Sequence, residues 1–516
     1  MKKKRLPLGV QDFRLMREDN NIYIDKTELI YQLLTEGYYY FLSRPRRFGK
    51  SLLLSTLKEI FSGSKELFKG LWIEDKWDWS QTHPIVHISF AAAGFKEIGL
   101  ARSVNSIINR CAASNNIILT EESNAFRFRE LLEKLNAKKG KVVVLIDEYD
   151  KPIIDYIDNI PQADENRDIL RDFYVVLKDN PQYLRFVFIT GITKFSKVSI
   201  FSALNHLTDI TLNDTYASLL GYTQEELESS FKEYMPQAMK ANEMTEPELL
   251  DALKFWYNGY SWDGETKMYN PFSIINFFND KSFKNFWFST GTPTFLTILA
   301  RQQQFYDLSD IEADQTGFDT FDVDNLNAQA TMFQTGYLTI KKYDFKNQIY
   351  TLSYPNNEVR KAFLAYMIEA YSFVQVNNVS PIVIKMKRAF ERKDIEMVIE
   401  LVNKMFSNIP YSIFDGTSEK YFHSLMHLLL HYLGTNIESE VNTNKGRLDS
   451  VVQTPQYIYI LEFKFDKSAQ VALDDIEKRG YVEKYSHSQK EIIGVGINFS
   501  SKKKCINEWK IKEPKK

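Results

Sequence analysis

The chain has 516 residues, 44% of them hydrophobic and 26% charged, with a net charge of −2. That length gives roughly two to four domains, each able to bury its own core. The ordinary hydrophobic and charged fractions exclude long disorder, and the near-neutral balance excludes a general electrostatic sponge for DNA while leaving room for a local basic cleft. No apolar run approaches the roughly eighteen residues needed to span a bilayer, and Met1-Lys2-Lys3-Lys4-Arg5 leads into no signal-like apolar segment, so no membrane contact and a cytoplasmic setting are expected. Cys111 and Cys505 lie far apart and outside any CxxC spacing, which gives neither a zinc site nor a disulfide framework. The basic ends, residues 2–5 and 502–504 with Lys515 and Lys516, read as solvated tails.

The first informative stretch is Ser43-Arg44-Pro45-Arg46-Arg47-Phe48-Gly49-Lys50-Ser51, entered from an apolar run at 38–42 and left by an apolar helical pattern at 52–60. A strand, a basic loop with a glycine and a helix start, in that order, read as a phosphate-binding loop. Backbone N–H groups face the phosphates, Lys50 reaches the β and γ oxygens, and the Ser51 hydroxyl ligates Mg²⁺. Arg46, Arg47, Phe48 and Gly49 complete the cradle. The first glycine of the general pattern is missing, with Ser43 read in its place, and taken alone the stretch also suits a basic turn capping a buried helix.

Residues 84–90 and 208–212 are expected as short strands, and 99–112, 125–135 and 165–177 as helices. Lys141-Val142-Val143-Val144-Leu145-Ile146-Asp147-Glu148 has the form of a fully buried parallel strand that delivers carboxylates to the sheet's C-terminal edge. Asp147 would bind Mg²⁺ and Glu148 would polarise the attacking water, because phosphoryl transfer is catalysed mainly by positioning and charge stabilisation. Asp150 reads as a solvated loop carboxylate, with a supporting acid as the other reading. Residues 184–191 form a further apolar strand, whose tip would lie beside the γ-phosphate with Thr190 or Thr193 as a polar sensor; a Thr-Gly turn that merely ends a core strand is the competing reading. The alternation predicts an α/β fold with a parallel sheet flanked by helices.

The middle of the chain is rich in rings and poor in recognisable chemistry. Thr223 and Glu226 form a capping-box pattern that opens a helix. Trp256-Tyr257-Asn258-Gly259-Tyr260-Ser261-Trp262 reads as core, although exposed rings of this kind would stack on bases. Residues 216–375 are expected as a helical lid on the nucleotide domain.

Near the C-terminus, residues 440–452 pass through a polar turn into a strand, and residues 457–464 form a second, alternating one. Side chains two apart on a strand share a face, so Glu462 and Lys464 project together and Asp449 on the adjoining strand can meet them. Two carboxylates and a lysine so placed can hold Mg²⁺ and a water against a scissile phosphate. The plainer reading is a ribbon of surface acids with Lys464 as an exposed ion-pair partner. His423, His427 and His431 stack at a spacing of four on one helix face, but leucines at 425 and 428–430 make that helix apolar, which favours packing over a metal stripe.

RPRRFGKS at 44–51, Tyr23-Ile24-Asp25-Lys26-Thr27, LIDEYDKP at 145–152 and FSALNHLTDITL at 201–212 resemble the predicted AAA-type ATPases. Chains of that family commonly end in a nuclease domain of the PD-(D/E)XK superfamily, and GRLD at 446–449 with EFK at 462–464 looks like that domain's core. The resemblance implies an α/β P-loop NTPase sheet over 1–215, a helical middle over 216–375 and an α/β restriction-endonuclease-like domain over 376–516. It implies ATP and Mg²⁺ as cofactors, with Lys50, Ser51, Asp147 and Glu148 matching the ATPase pattern and Asp449, Glu462 and Lys464 the nuclease triad. Glu440 matches an upstream acid and a further metal ligand, and Phe422-His423 a pair that supports the site. Where the family tends to carry a glutamine, this chain has Asp475 before Ile476; an acid there would weaken DNA binding and counts against full cleavage. The expected function is a Mg²⁺-dependent ATPase whose nucleotide state controls a nuclease-like domain acting on DNA. The alternative is an ATP-dependent switch whose nuclease-like domain only binds nucleic acid or a protein. Whether the chain is a homo-oligomer stays open, since Arg46 and Arg47 suit their own loop, acids of their own subunit or a neighbour's nucleotide.

Overall fold

The computed structural model describes residues 3–91, 93–195, 206–287, 299, 308–319, 326–409, 419–434, 437–443, 446–478, 481–485 and 487–513, without the side chains of 419–420, 437–443, 446–449, 481 and 484. The start of the FSALNHLTDITL run (201–205), the tail lysines 2, 515 and 516, and the side chains of Glu440 and Asp449 therefore lie outside the described residues. The chain separates into two compact units, the first joining Leu308–Arg360 to the chain up to Leu296 and the second built on Lys361–Lys516.

In the first unit, β1 (Tyr39–Ser43), β2 (Ile85–Ser89), β3 (Val142–Asp147), β4 (Leu184–Gly191) and β5 (Thr208–Asp209) form a parallel sheet in the order β2-β3-β4-β1-β5. Every residue of β3 is buried, as a strand covered on both faces by helices must be. The longer helices that follow strands or flank the sheet include α1 (Lys50–Phe61), α2 (Leu100–Ser114), α3 (Asn124–Lys139) and α4 (Ile160–Asp179). Val104, Ile107, Leu131, Leu135, Phe173 and Leu177 from α2, α3 and α4 share one core with Phe41, Val144, Ile146, Val187 and Ile189 of the sheet. β4 is the strand inserted between β1 and β3. Its register sets Leu42 beside Thr190 and Ile146 beside Ile189, so the chemistry-bearing ends of three strands emerge on one edge. Only Thr208 and Asp209 of the expected fifth strand pair, because Thr211 turns its N–H onto the Asp209 carboxylate.

The middle region opens with α5 (Gln224–Ser230), whose Thr223–Glu226 capping box is present in both directions, and continues through α6 (Glu246–Tyr257) and α7 (Pro271–Asp280). It also carries two small antiparallel sheets. One pairs β6 (Asn258–Tyr260) with β7 (Met268–Tyr269), and the other orders β8 (Ile311–Ala313), β9 (Thr339–Asp344) and β10 (Ile349–Ser353) as β8-β10-β9. The ring-dense segment is core, with Tyr257, Tyr260 and Tyr269 at 1% exposure or less, so those three rings are closed to a base.

The second unit holds the helices α8 (Val376–Glu391), α9 (Ile395–Phe406) and α10 (Glu419–Leu433). Its mixed sheet is built from β11 (Ile437–Thr443), β12 (Gly446–Gln453), β13 (Tyr457–Phe465), β14 (Glu491–Ser500) and β15 (Cys505–Lys512), in chain order. Glu440 thus sits within a strand rather than in a polar turn. β13 and β14 are parallel, joined through α11 (Ala469–Lys478), which buries Ala469, Ala472, Leu473 and Ile476. The helix can approach because position 496 is glycine: a Cβ there would lie 2.3 Å from the Ala469 carbonyl oxygen and 3.0 Å from the Ala472 Cβ. No helix among the described residues is long and apolar enough to cross a membrane. Gly496→Ala is expected to destabilise the second unit by about 1–3 kcal/mol, as overpacking against backbone does, read as an earlier urea transition of that unit.

Candidate functional site

Gly49 takes φ +96 immediately before α1, a left-handed conformation that glycine adopts without strain. Arg47 is left-handed too, at φ +70. The turn delivers the chain to the N-terminus of a helix, where unpaired N–H groups and the helix dipole favour an anion. Lys50 is buried, and its ammonium donates to the carbonyls of Arg44 (2.7 Å) and Pro45 (3.0 Å). Burial depresses its pKa, and the carboxylates of Asp147, Asp150 and Glu148 pull the other way.

Three hydroxyl and carboxylate groups from separate elements converge beside it. Ser51 Oγ donates to Asp147 Oδ2 at 2.6 Å, and Thr190 Oγ1 donates to Asp147 Oδ1 at 2.8 Å. These are hard oxygen donors, the chemistry Mg²⁺ requires. Glu148, next along, is half-buried and left-handed at φ +53, and burial followed by the neighbouring Asp147 charge raises its pKa. Strained backbone of this kind concentrates at functional sites.

Asp150 corrects one expectation. It is fully buried rather than solvated, and its Oδ2 accepts from Ile192 N (2.9 Å), Thr193 N (2.6 Å) and Thr193 Oγ1 (2.8 Å). The turn after β3 folds inward, so this carboxylate staples the ends of β3 and β4 together. Burial still leaves its pKa above the ordinary value. Thr193 is committed to Asp150, which separates it from Thr190. Glycine is required at 191 because a Cβ would stand 2.5 Å from the Tyr149 ring.

The glycine position of the loop pattern falls seven residues before Ser51, at Arg44 rather than at Ser43. It is 1% exposed, donates from Nη1 to the carbonyls of Ser43 (3.0 Å) and Thr211 (2.7 Å), and lies 4.0 Å from the Trp262 ring. Burial brings its pKa down to about 9. Phe48 is buried between Tyr260 and Trp262, with ring centroids at 4.8 and 5.3 Å. Arg46 and Arg47 are exposed; the Arg47 guanidinium stands 4.5 Å over Phe272, and the Arg46 carbonyl accepts from Trp287 Nε1 at 3.2 Å. A largely apolar pocket abuts the loop, with Phe48, Gly49 and Leu52 on one side and Ile22, Ile24 and Leu220 among its other walls. Apart from the Tyr23-Ile24-Asp25-Lys26-Thr27 stretch, whose Lys26 pairs with Glu226 at 2.5 Å, nothing in the sequence marks these walls.

In the second unit, Glu462 and Lys464 of β13 meet at 2.9 Å, and Lys464 also bonds Asp475 Oδ2 of α11 at 2.8 Å. Burial works against the Lys464 charge, but the bonds to Asp475 and Glu462 outweigh it and raise its pKa. The pair Ser450–Leu461 sets Asp449 level with Glu462 in the register. Ser439 opposite Ser450 and Val441 opposite Leu448 set Glu440 level with Asp449. Three acidic positions are thus adjacent across β11, β12 and β13. The histidines of α10 pack: His427 and His431 stack at 4.1 Å and His423 lies edge-on to Phe463 at 5.6 Å. Among the described residues no group of three or more His, Cys, Asp or Glu is arranged to hold a metal.

A family model described as "Predicted AAA-ATPase" matches residues 7–201, and one described as "PD-(D/E)XK nuclease superfamily" matches residues 417–509. The chain is similar to an "Uncharacterized protein in vnfD 5'region" of Azotobacter chroococcum mcd 1, with 35% identity over 524 residues that cover 98% of each chain. A structure of the Aeropyrum pernix ORC1 protein in complex with DNA aligns at 12% identity and a TM-score of 0.19, over 66% of this chain and 95% of that one.

Asp150→Ala would strip three donors of their acceptor in a dry interior, and a loss of about 3 kcal/mol in stability is expected, measurable by urea unfolding of the full chain.

Proposed function

Because the chain belongs to the predicted AAA-ATPase family and ends in a PD-(D/E)XK nuclease superfamily domain, we propose that it binds and hydrolyses ATP with Mg²⁺ in the cytoplasm and that nucleotide state governs a nuclease-like domain acting on DNA. The observation that carries the first half is the convergence of Ser51, Asp147 and Thr190 beside the Lys50 ammonium. Lys50 exchanges the loop carbonyls for β and γ oxygens, while the N–H groups of the loop from Arg46 to Gly49 hold the phosphates. Ser51 and Asp147 hold the metal, which when bound neutralises charge developing on the transferred phosphoryl group. Thr190 fixes the Asp147 carboxylate, and Glu148 orients the attacking water and takes its proton. The apolar pocket beside Gly49 suits the nucleoside end of the same ligand.

For the second half, Glu462 and Lys464 are the catalytic residues of the reading, with Asp449 and Glu440 completing the metal ligands at adjacent strand positions. Residues 1–215 make the ATPase domain of this reading, 216–375 its lid and 376–516 the nuclease-like domain. Arg46 and Arg47 are exposed, and in this reading they serve their own loop or, in a homo-oligomer, a neighbour's nucleotide. The second reading, a switch whose C-terminal domain binds without cutting, is favoured by one observation, the Lys464–Asp475 pair that occupies the catalytic lysine.

Glu148→Gln is expected to retain ATP affinity within about twofold while slowing phosphate release by about 100-fold or more, measured by calorimetry and a phosphate assay; unchanged hydrolysis removes Glu148 from its role. A supercoiled plasmid and a single-stranded circle, incubated with Mg²⁺ or Mn²⁺ with and without ATP, should be cut by the parent protein and left intact by Lys464→Ala. Intact DNA under every condition, with ATP hydrolysis preserved, selects the switch.

A further inference from the structure

Lys464 is the cation that a phosphate would seek in the second unit, and its charge is already taken. An ammonium has three donors and no acceptor, and two of these donors go to carboxylates at 2.9 Å (Glu462) and 2.8 Å (Asp475), both charge-assisted bonds. The two acids are not equivalent. The Glu462 side chain is 3% exposed and the Asp475 side chain 24%, so Glu462 closes the inner side of the lysine and Asp475 the outer.

The position of Asp475 is set by tight packing. α11 is held against β13 and β14 through Ala469, Ala472, Leu473 and Ile476, and Gly496 lets its backbone come close. The carboxylate therefore stands on a rigid element, with the lysine presented to it from the neighbouring strand.

We propose that Asp475 is a positioning residue that acts as an internal competitor for phosphate, holding Lys464 away from the DNA backbone and keeping the site in a state of low affinity. The inference rests on the reading that the C-terminal domain takes DNA, and it goes beyond that reading by naming the group a phosphate must displace. One ammonium between two carboxylates gives that trio a formal charge of −1, beside the acidic positions 449 and 440 on the adjoining strands. An incoming phosphodiester meets an ammonium with two of its three donors already committed to carboxylates, and it competes with Asp475 for the outer side of that cation. With an amide at position 475 the Glu462–Lys464 pair is neutral and the outer bond of the lysine falls from a charge-assisted one to one with a neutral amide oxygen, which a phosphate displaces more easily, while side-chain volume is kept.

The test uses the full chain and a fluorescently labelled DNA duplex and single strand, with binding followed by anisotropy in EDTA so that cutting does not interfere. Four proteins are compared: parent, Asp475→Asn, Lys464→Ala and the double variant. Asp475→Asn is expected to bind at least fivefold more tightly than the parent, and the gain is expected to vanish in the Lys464→Ala background. A gain that persists without Lys464 would overturn the proposal in favour of a general loss of negative charge, and so would no gain at all. Asp475→Gln repeats the comparison should the asparagine variant fail to fold by circular dichroism. Tighter binding with no cleavage in Mg²⁺ leaves the competitor role standing and sinks only the catalytic reading; no DNA binding by parent or variant, even at low salt, sinks both.

Discussion

Asp147 is the point on which the edge of the first unit's parallel sheet depends. Its two carboxylate oxygens are each taken by a hydroxyl, one from the start of α1 and one from the end of β4. That is possible because β4 lies between β1 and β3, so the loop that follows β1 and the acid that ends β3 sit two strand positions apart with Thr190 in the gap. A strand that buries all its apolar residues and ends in an acid sets that carboxylate rigidly at the sheet's edge. The remaining parts, an ammonium fed by backbone carbonyls and a strained glutamate, are arranged around it.

Much of this was legible in the chain because the signals are local. An apolar run, a glycine before Lys50-Ser51 and a β-branched run ending in Asp147-Glu148 each encode an element and its end group within a few residues. What could not be read depends on how distant segments meet. Asp150 looks like any loop acid, and its burial follows only once Ile192 and Thr193 come up beneath it from β4. Arg44 looks like one more basic residue, yet Trp262, more than two hundred positions on, covers it. The pocket walls at Ile22, Ile24 and Leu220 carry no chemistry in their side chains, so nothing in their composition marks them.

In the second unit, periodicity sufficed to place Glu462 and Lys464 on one face of β13, since alternation along a strand is geometric. The partnership with Asp475 was not legible in the same terms. The departure at that position was visible, but whether an acid there meets solvent, metal or lysine depends on how α11 lies on the sheet, and that follows from small residues such as Ala469, Ala472 and Gly496.

The loop at 44–51 has a dependence on chain length that its local motif conceals. Phe48 is enclosed by Tyr260 and Trp262, the Arg46 carbonyl is held by Trp287, and a side chain at Gly336 would strike Pro45 at 2.7 Å. Residues up to 336 are therefore in van der Waals contact with a loop that ends at 51, while the matching family model stops at 201. A ribosome that has released only the five-stranded sheet has made a loop whose apolar side is still bare. The surroundings of the loop are completed late in synthesis, and a nascent chain or proteolytic fragment ending soon after β5 carries Lys50, Ser51, Asp147 and Thr190 without the wall that encloses Phe48.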